Sequence, residues 1–341
     1  MIRVAVVGLG RWGPHHVRIF SSLPNSRVTC LIDKDENRLD EVRKSLNLSC
    51  ITYPDYHDAL FLDPDSGIDA VVVATPIPTH FQIVEDALKS GKHVLCEKPL
   101  CQSYEEACTL TYLAISKNLV LMVGNEFLFN PGLVKLKEVL QSGSIGELCF
   151  ISSTRTSFGP IRTDAGVALD AAAHDVAIIK WLLNGANPYS VSATGMGYVQ
   201  NEFDDVAFIS MSYPDGVLAN IRVSRLDPRK SCEMIVVGNK GALYWNDLDT
   251  RNPLALYPKG VQLERVEGGW GEFLRTSLWE GDVILPKVDP AEPLRLQDEH
   301  FIEQIITGPP VISGPKFNRD VVMTLEAISN SIERKGEPII L

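Results

Sequence analysis

Three groups of residues have the types and spacing to do chemistry. Gly8-Leu9-Gly10-Arg11-Trp12-Gly13 is a G-x-G-x-x-G turn. In such a turn the first glycine allows the tight bend, the second lets a pyrophosphate approach the backbone, and the third lets a helix pack on a strand. Asp33 follows about twenty residues later, where a carboxylate accepts hydrogen bonds from ribose hydroxyls and repels a 2′-phosphate. Lys34 beside it offsets part of that repulsion, so the pair favours NAD while admitting NADP. Lys98 follows His93-Val94-Leu95-Cys96-Glu97 and precedes Pro99, which cannot continue a central ladder and keeps Lys98 out of the α region. Its ammonium is expected beyond the carboxyl edge of a sheet, where open α/β sheets bind ligands and where it would stabilise charge growing on an oxygen. Asp170 and His174 stand four apart, so a helix carries both on one face, whereas Asp175 lies about 100° round. Taken alone, a histidine near the start of an amphipathic helix is more often packed or solvated than reactive.

Elements must position these groups. Ile2 to Val7 is a continuous apolar run, the mark of a strand buried on both faces, and the pattern after the glycines is helical to about Ser22. Pro14 sits in the first helical turn, where its missing N–H costs nothing, and the neighbouring amides favour a phosphate. Strands over 27–32, 69–74, 93–96 and 119–123 alternate with helices over 35–46, 81–89 and 103–116. That alternation predicts an α/β Rossmann domain, a doubly wound parallel sheet, over 1–124. Thr75-Pro76-Ile77-Pro78-Thr79-His80 holds a stiff loop at the same edge as the glycine turn. Within it His80 caps or packs locally, with a contact near the nicotinamide as the alternative.

From about Glu126 the pattern changes. Helices over 131–142 and 166–183 precede strands near 190–200, 204–213, 216–226, 231–238 and 241–246, with Pro214-Asp215-Gly216 as a turn. The expectation over 125–341 is an α+β domain with a large open, mainly antiparallel sheet and helices on one face. The bare face of such a sheet implies self-association as a homodimer or homotetramer. Trp270, Phe273 and Trp279 make 246–293 an ordered lid or interface arm.

Composition narrows the classes. The 341 residues carry a net charge of −11 and no basic block, which speaks against nucleic acid or an anionic membrane as partner. Neither a signal peptide nor a membrane-length apolar stretch is expected. The seven cysteines are scattered, odd in number and without C-x-x-C, so reduced thiols in the cytoplasm are expected, with no disulfide frame and no metal site.

The segments GLGRWG, Asp33, ATPIPTH, GKHVLCEKPL and VGNEFLFNP together resemble the Gfo/Idh/MocA oxidoreductases, which include glucose-fructose oxidoreductase and inositol dehydrogenase. The resemblance runs over essentially the whole chain, and GKHVLCEKPL is its most specific part. It implies cofactor contacts from Gly8, Gly10, Arg11, Trp12, Gly13, Asp33, Lys34, Thr75, Pro76, His80, Glu97 and Lys98, and a cis peptide before Pro99. It places Lys98 beside the nicotinamide and the reacting hydroxyl. It makes His174 the acid/base residue and Asp170 an orienting or substrate contact. Two departures concern this helix: a second aspartate common three after the histidine is here Ala177, and a glycine often found before the histidine is Ala172. Further segments, among them VSRLDPRK and EGDVILPKVDPAEPLRLQDEHF, resemble members associated with sugars and nucleotide-sugars. Asn125, Arg155, Arg162, Thr163, Arg225 and Lys230 form the pool of substrate contacts, against a plainer reading of most as solvated charges. The implied function is an NAD(P)-dependent dehydrogenase for a secondary hydroxyl of a sugar or nucleotide-sugar. The alternatives are a free-polyol dehydrogenase of the inositol type and a non-catalytic dinucleotide-binding regulator.

Overall fold

The apolar runs of the first third assemble into one sheet because their side chains are buried on both faces. In the computed structural model, which describes residues 1–62, 67–268, 271–308 and 312–341, the chain divides into two compact units. The first comprises Met1–Phe129, Arg162–Ala165 and Glu292–Glu326, and the second Asn130–Ile161, Gly166–Ala291 and Ala327–Leu341.

The first unit runs β1 (Ile2–Val7), α1 (Gly13–Ser22), β2 (Ser26–Ile32), α2 (Glu36–Ser45), β3 (Ile51–Tyr53), β4 (Ala70–Val73), α3 (His80–Lys89), β5 (His93–Glu97), α4 (Tyr104–Ser116) and β6 (Leu121–Gly124). The strands are parallel in the order β3-β2-β1-β4-β5-β6. Val71, Val72 and Val73 are wholly buried, each contributing about 1.5–3 kcal/mol of apolar burial. Asp35 caps α2, and Ser103 with Glu106 forms a capping box on α4, so both helices start where the sequence signals them. The strand order reverses between β1 and β4, and the crevice at such a reversal is where this class of sheet takes ligands. The short edge strand β3 is an addition to the sequence reading.

The second unit contains α5 (Pro131–Gln141), β7 (Leu148–Phe158), α6 (Val167–Asp170), α7 (Ala172–Leu182), β8 (Ser190–Met196), β9 (Val206–Ser212), β10 (Leu218–Ser224), β11 (Leu226–Gly238), β12 (Gly241–Asn246) and β13 (Leu254–Tyr257). A hairpin of β14 (Lys259–Gly268) and β15 (Gly271–Glu280) follows, and β16 (Ile339–Ile340) completes the strands. The main sheet has the order β13-β12-β11-β7-β10-β9-β8-β16, antiparallel except for the parallel pair β7 and β10. Along β9, Ala207, Ile209 and Met211 are buried and Phe208 between them is 54% exposed. The alternation puts one face against helices and leaves the other bare.

The last third departs from the expected domain limit at 124/125. Helix α8 (Pro293–Thr307) belongs to the first unit, and α9 (Pro315–Glu333) starts there and ends in the second. The cause is apolar: Phe301 on α8 is fully buried, its ring meeting Phe20 of α1 edge-on at 6.3 Å between centroids. In the 246–293 segment, β13, β14 and β15 supply regular structure, while Trp270 and the side chain of Phe273 lie outside the described residues.

Candidate active site

The glycine turn is shaped by what it must approach. Gly8 has φ +90°, and a Cβ there would lie 2.7 Å from the Ala74 carbonyl oxygen, so both its conformation and its space require glycine. A Cβ on Gly10 would meet no atom within 4 Å, which leaves the backbone open to a ligand. No side chain caps α1, which begins at Gly13 with Pro14 in its first turn, so its leading amides remain available to an anion. The turn borders a cavity of about 770 Å³ that Arg11, Trp12, Asp33, Lys34, Thr75 and Pro76 also line. These residues suit a dinucleotide. Asp33 accepts the Leu9 N–H through Oδ2 at 2.6 Å and the Asp35 N–H through Oδ1 at 2.9 Å.

The cavity has lining residues that the sequence reading did not include. Tyr56 and His57, 4.1 Å apart between ring centroids, form a ring wall in the loop after β3. The Tyr56 hydroxyl donates to Asp86 at 3.0 Å, and burial, then that carboxylate, push its pKa up. Arg162, expected among substrate contacts, lines this cavity and forms a two-bond pair with Asp164 at 2.8 and 2.6 Å.

Lys98 stands at the end of β5, half-buried, and its bond to Pro99 is cis. The loop is tied on both sides. His80, fully buried, has its two ring nitrogens 2.9 Å from the Pro99 and Thr75 carbonyl oxygens, so it joins the loop after β4 to the loop after β5. Burial pushes its pKa down, with the two carbonyls opposing. Glu97 accepts the Lys98 backbone N–H through Oε2 at 3.3 Å. Its Oε1 lies 3.0 Å from Nε2 of His16, whose Nδ1 lies 3.0 and 3.1 Å from the carboxylate oxygens of Asp298. Burial opposes the charge on His16, but Asp298 and then Glu97 outweigh it and raise its pKa to about 10. Burial likewise raises Asp298, with the charge of His16 pulling it back. His16 is three residues past Gly13 and could have been noticed; Asp298 carries no sequence signal linking it to the glycine turn.

In the second unit Asp170 is buried at the end of α6 and accepts from Nη2 of Arg225 at 3.1 Å. Arg225 Nη1 also donates to Ser157 at 3.0 Å. Asp204 accepts the Ala168 N–H at 2.7 Å and so secures the start of α6. The single helix expected over 166–183 is recorded as α6 and α7, although Ala171 between them keeps helical angles of φ −80° and ψ −44°. His174, on the first turn of α7, is half-buried. Two expected substrate contacts have partners within the protein. Arg155 holds Asp175 through two bonds of 2.8 and 3.1 Å, because Asp175 is almost fully buried and needs a counter-charge. Asn125 is buried, and its amide donates to Ser313 at 2.8 Å and to Asn318 at 2.7 Å, a tie between segments. Thr163 and Lys230 are exposed. Among the described residues no group of three or more His, Cys, Asp or Glu could hold a metal, and no helix is long and apolar enough to cross a membrane.

Comparison with known proteins places these features in context. A model of the oxidoreductase family GFO_IDH_MocA, with an NAD-binding Rossmann fold, matches residues 2–125, and the GFO/IDH/MocA C-terminal domain matches 133–244. The sequence is 29% identical to scyllo-inositol 2-dehydrogenase (NAD(+)) of Bacillus subtilis, over 100% of this chain and 96% of that protein. It is 29% identical to UDP-N-acetylglucosamine 3-dehydrogenase of Acidithiobacillus ferrooxidans, over 76% of this chain and 78% of that one. A solved structure of the latter enzyme superposes with a TM-score of 0.79 and 25% identity over 98% of each chain. A solved structure of GenD2 from gentamicin A biosynthesis, in complex with NAD, has a TM-score of 0.83 at 22% identity over 100% of this chain and 96% of that one, a likeness of fold.

Proposed function

This chain belongs to the Gfo/Idh/MocA oxidoreductases, and we propose that it interconverts a secondary hydroxyl and a ketone on a sugar or nucleotide-sugar, with NAD as its cofactor. The observation that carries this reading is the pairing, within one unit, of an open glycine cradle with a lysine fixed at the carboxyl end of β5. The glycine turn and the amides of α1 bind the pyrophosphate, and Asp33 accepts from the ribose hydroxyls. The bound nicotinamide supplies the site that takes or gives the hydride.

The chain's own residues do the rest. Lys98 donates to the reacting oxygen and stabilises alkoxide charge as it develops. His174 takes the hydroxyl proton in oxidation and returns it in reduction. Asp170, held by Arg225, orients that histidine or the substrate.

Substrate class rests on relatives whose names include both inositol dehydrogenases and UDP-N-acetylglucosamine 3-dehydrogenase. A free polyol of the inositol type is therefore the second reading. The scattered spacing of the seven cysteines, odd in number and without C-x-x-C, supports a cytoplasmic enzyme. The bare face of the main sheet, on which Phe208 and Leu218 are 54% and 56% exposed, supports a homodimer or homotetramer.

The test is a panel of free sugars, inositols and nucleotide-sugars, each assayed for NAD+ reduction and, as the ketone, for NADH oxidation. Turnover confined to nucleotide-sugars supports the leading reading, and turnover confined to inositols the second. Tight NADH binding without turnover on any member of the panel would favour a dinucleotide-binding regulator and overturn both.

A further inference from the structure

Three ionisable side chains are joined in a chain that ends on the carboxylate holding the Lys98 backbone N–H, and the proposed chemistry gives none of them a role. Glu97 ends β5, His16 lies on α1 and Asp298 on α8, joined by contacts of 3.0 Å. His16 and Asp298 are fully buried, and the Glu97 side chain is only 12% exposed. An apolar trio of the same volume would be as stable or more so, since desolvating buried charges offsets their attraction. Stability alone therefore does not call for this chain. The neighbouring strand leaves room for it as well: a Cβ on Gly124 would stand 3.0 Å from Glu97 Oε1.

We propose that His16 and Asp298 are positioning residues for Lys98, tying α1, which opens at the dinucleotide turn, to the carboxyl end of β5. The inference rests on the reading of Lys98 as the donor to the reacting oxygen. Both ring nitrogens of His16 face carboxylate oxygens, so with both carboxylates ionised both nitrogens carry hydrogen and the ring is an imidazolium. Loss of either proton would turn a lone pair toward a carboxylate. Glu97 would then rotate, and its Oε2 would leave the Lys98 N–H it now accepts. Asp298 ends the chain in the interior beside Gln297, also fully buried and donating at 3.4 Å. Besides α8, the strands β1, β2 and β4 pack against α1. The ionisable side chains of these strands are Arg3, Arg27 and Cys30, α8 adds Arg295, Glu299, His300 and Glu303, and α1 itself adds His15 and Arg18.

The experiment follows the seven histidines of the cofactor-free protein by 15N NMR between about pH 7 and about pH 9, a range in which ordinary histidines are mostly neutral. The His16 signal, assigned by its loss in His16→Gln, is expected to remain that of an imidazolium throughout. In Asp298→Asn the ring should titrate within the range. The kcat of this variant should fall as the ring deprotonates, by about 10²-fold as expected for a slightly misplaced reacting group, and recover toward the acid side. Its NADH affinity and melting temperature on the acid side should stay near wild type. Should the asparagine variant not fold, Glu97→Gln is expected to lower the His16 titration in the same way. A neutral His16 in the wild type at about pH 8, or an Asp298→Asn pH–rate profile that matches wild type, overturns the inference. Lys98→Ala assayed in parallel separates the two claims. If it is as active as wild type, the reading of Lys98 fails; if it is slow while Asp298→Asn keeps the wild-type profile, only the positioning role fails.

Discussion

Oδ2 of Asp33 accepts the Leu9 backbone N–H at 2.6 Å, so the carboxylate at the end of β2 braces the glycine turn as well as facing the cofactor cavity. On the proposed reading, ribose recognition and the shape of the phosphate cradle would be coupled through this one side chain. Its other oxygen is engaged by Asp35 N–H, and each oxygen retains a second lone pair for a ribose hydroxyl.

Cofactor choice should follow. NADH is expected to bind more tightly than NADPH, and Asp33→Ala to narrow the gap, while weakening both because Leu9 loses its acceptor. A hydrogen bond to a charged group is worth about 1.5–3 kcal/mol, or about ten- to a hundredfold in affinity. Fluorescence titration of both cofactors reads this directly, and equal wild-type affinities would contradict it.

Arg155 should matter for folding and little for substrate. Asp175 is almost fully buried, so Arg155→Leu leaves an unpaired interior carboxylate and should cost about 3–5 kcal/mol, whereas replacing both partners with apolar residues should recover most of it. Urea midpoints of the single and double variants measure the difference. A large rise in KM with unchanged stability would instead return Arg155 to the substrate contacts.

Alkaline pH should weaken the first unit. The folded-state pKa of His16 is about 10, above its ordinary 6.5. The stability it adds is fully present below about 6.5, declines between the two values, and is gone once pH passes about 10. Denaturation midpoints should fall over this window in wild type and less steeply in His16→Gln. Parallel curves for the two proteins would show that the buried imidazolium contributes nothing.

Assembly should depend on the bare face of the main sheet. Phe208 is 54% exposed between inward-facing Ala207 and Ile209, so Phe208→Asp should leave the fold intact and convert the oligomer to monomer. Light scattering at micromolar concentration decides it, and a monomeric wild type would remove the premise.

Much of this was legible in the sequence where the signal is local. Runs such as Val4–Val7 and Ala70–Val73 are buried on both faces, and they announce a parallel sheet without help from distant residues. The glycine turn and Asp33 were readable because their spacing is fixed by the ligand. β3 escaped notice because it has three residues, and its Ile51 is 46% exposed. The return of α8 to the first unit and the His16–Asp298 pair span 282 positions, and no periodicity encodes a contact at that range. The partners of Asn125 were equally out of reach of the sequence. Its partners Ser313 and Asn318 lie almost two hundred residues away, with separations of 188 and 193.

The central claim is that Lys98 and His174 carry the chemistry, and steady-state rate measured beside NADH affinity tests it most directly. His174→Ala and Lys98→Ala should each lose about 10²–10⁴ in kcat while binding NADH nearly as wild type does. Lys98→Arg should not rescue the loss, because a planar guanidinium does not replace a compact ammonium. The double variant should be only slightly slower than either single one, as expected of groups that act as a unit. A His174→Ala enzyme that keeps near-wild-type turnover on the true substrate would contradict the account.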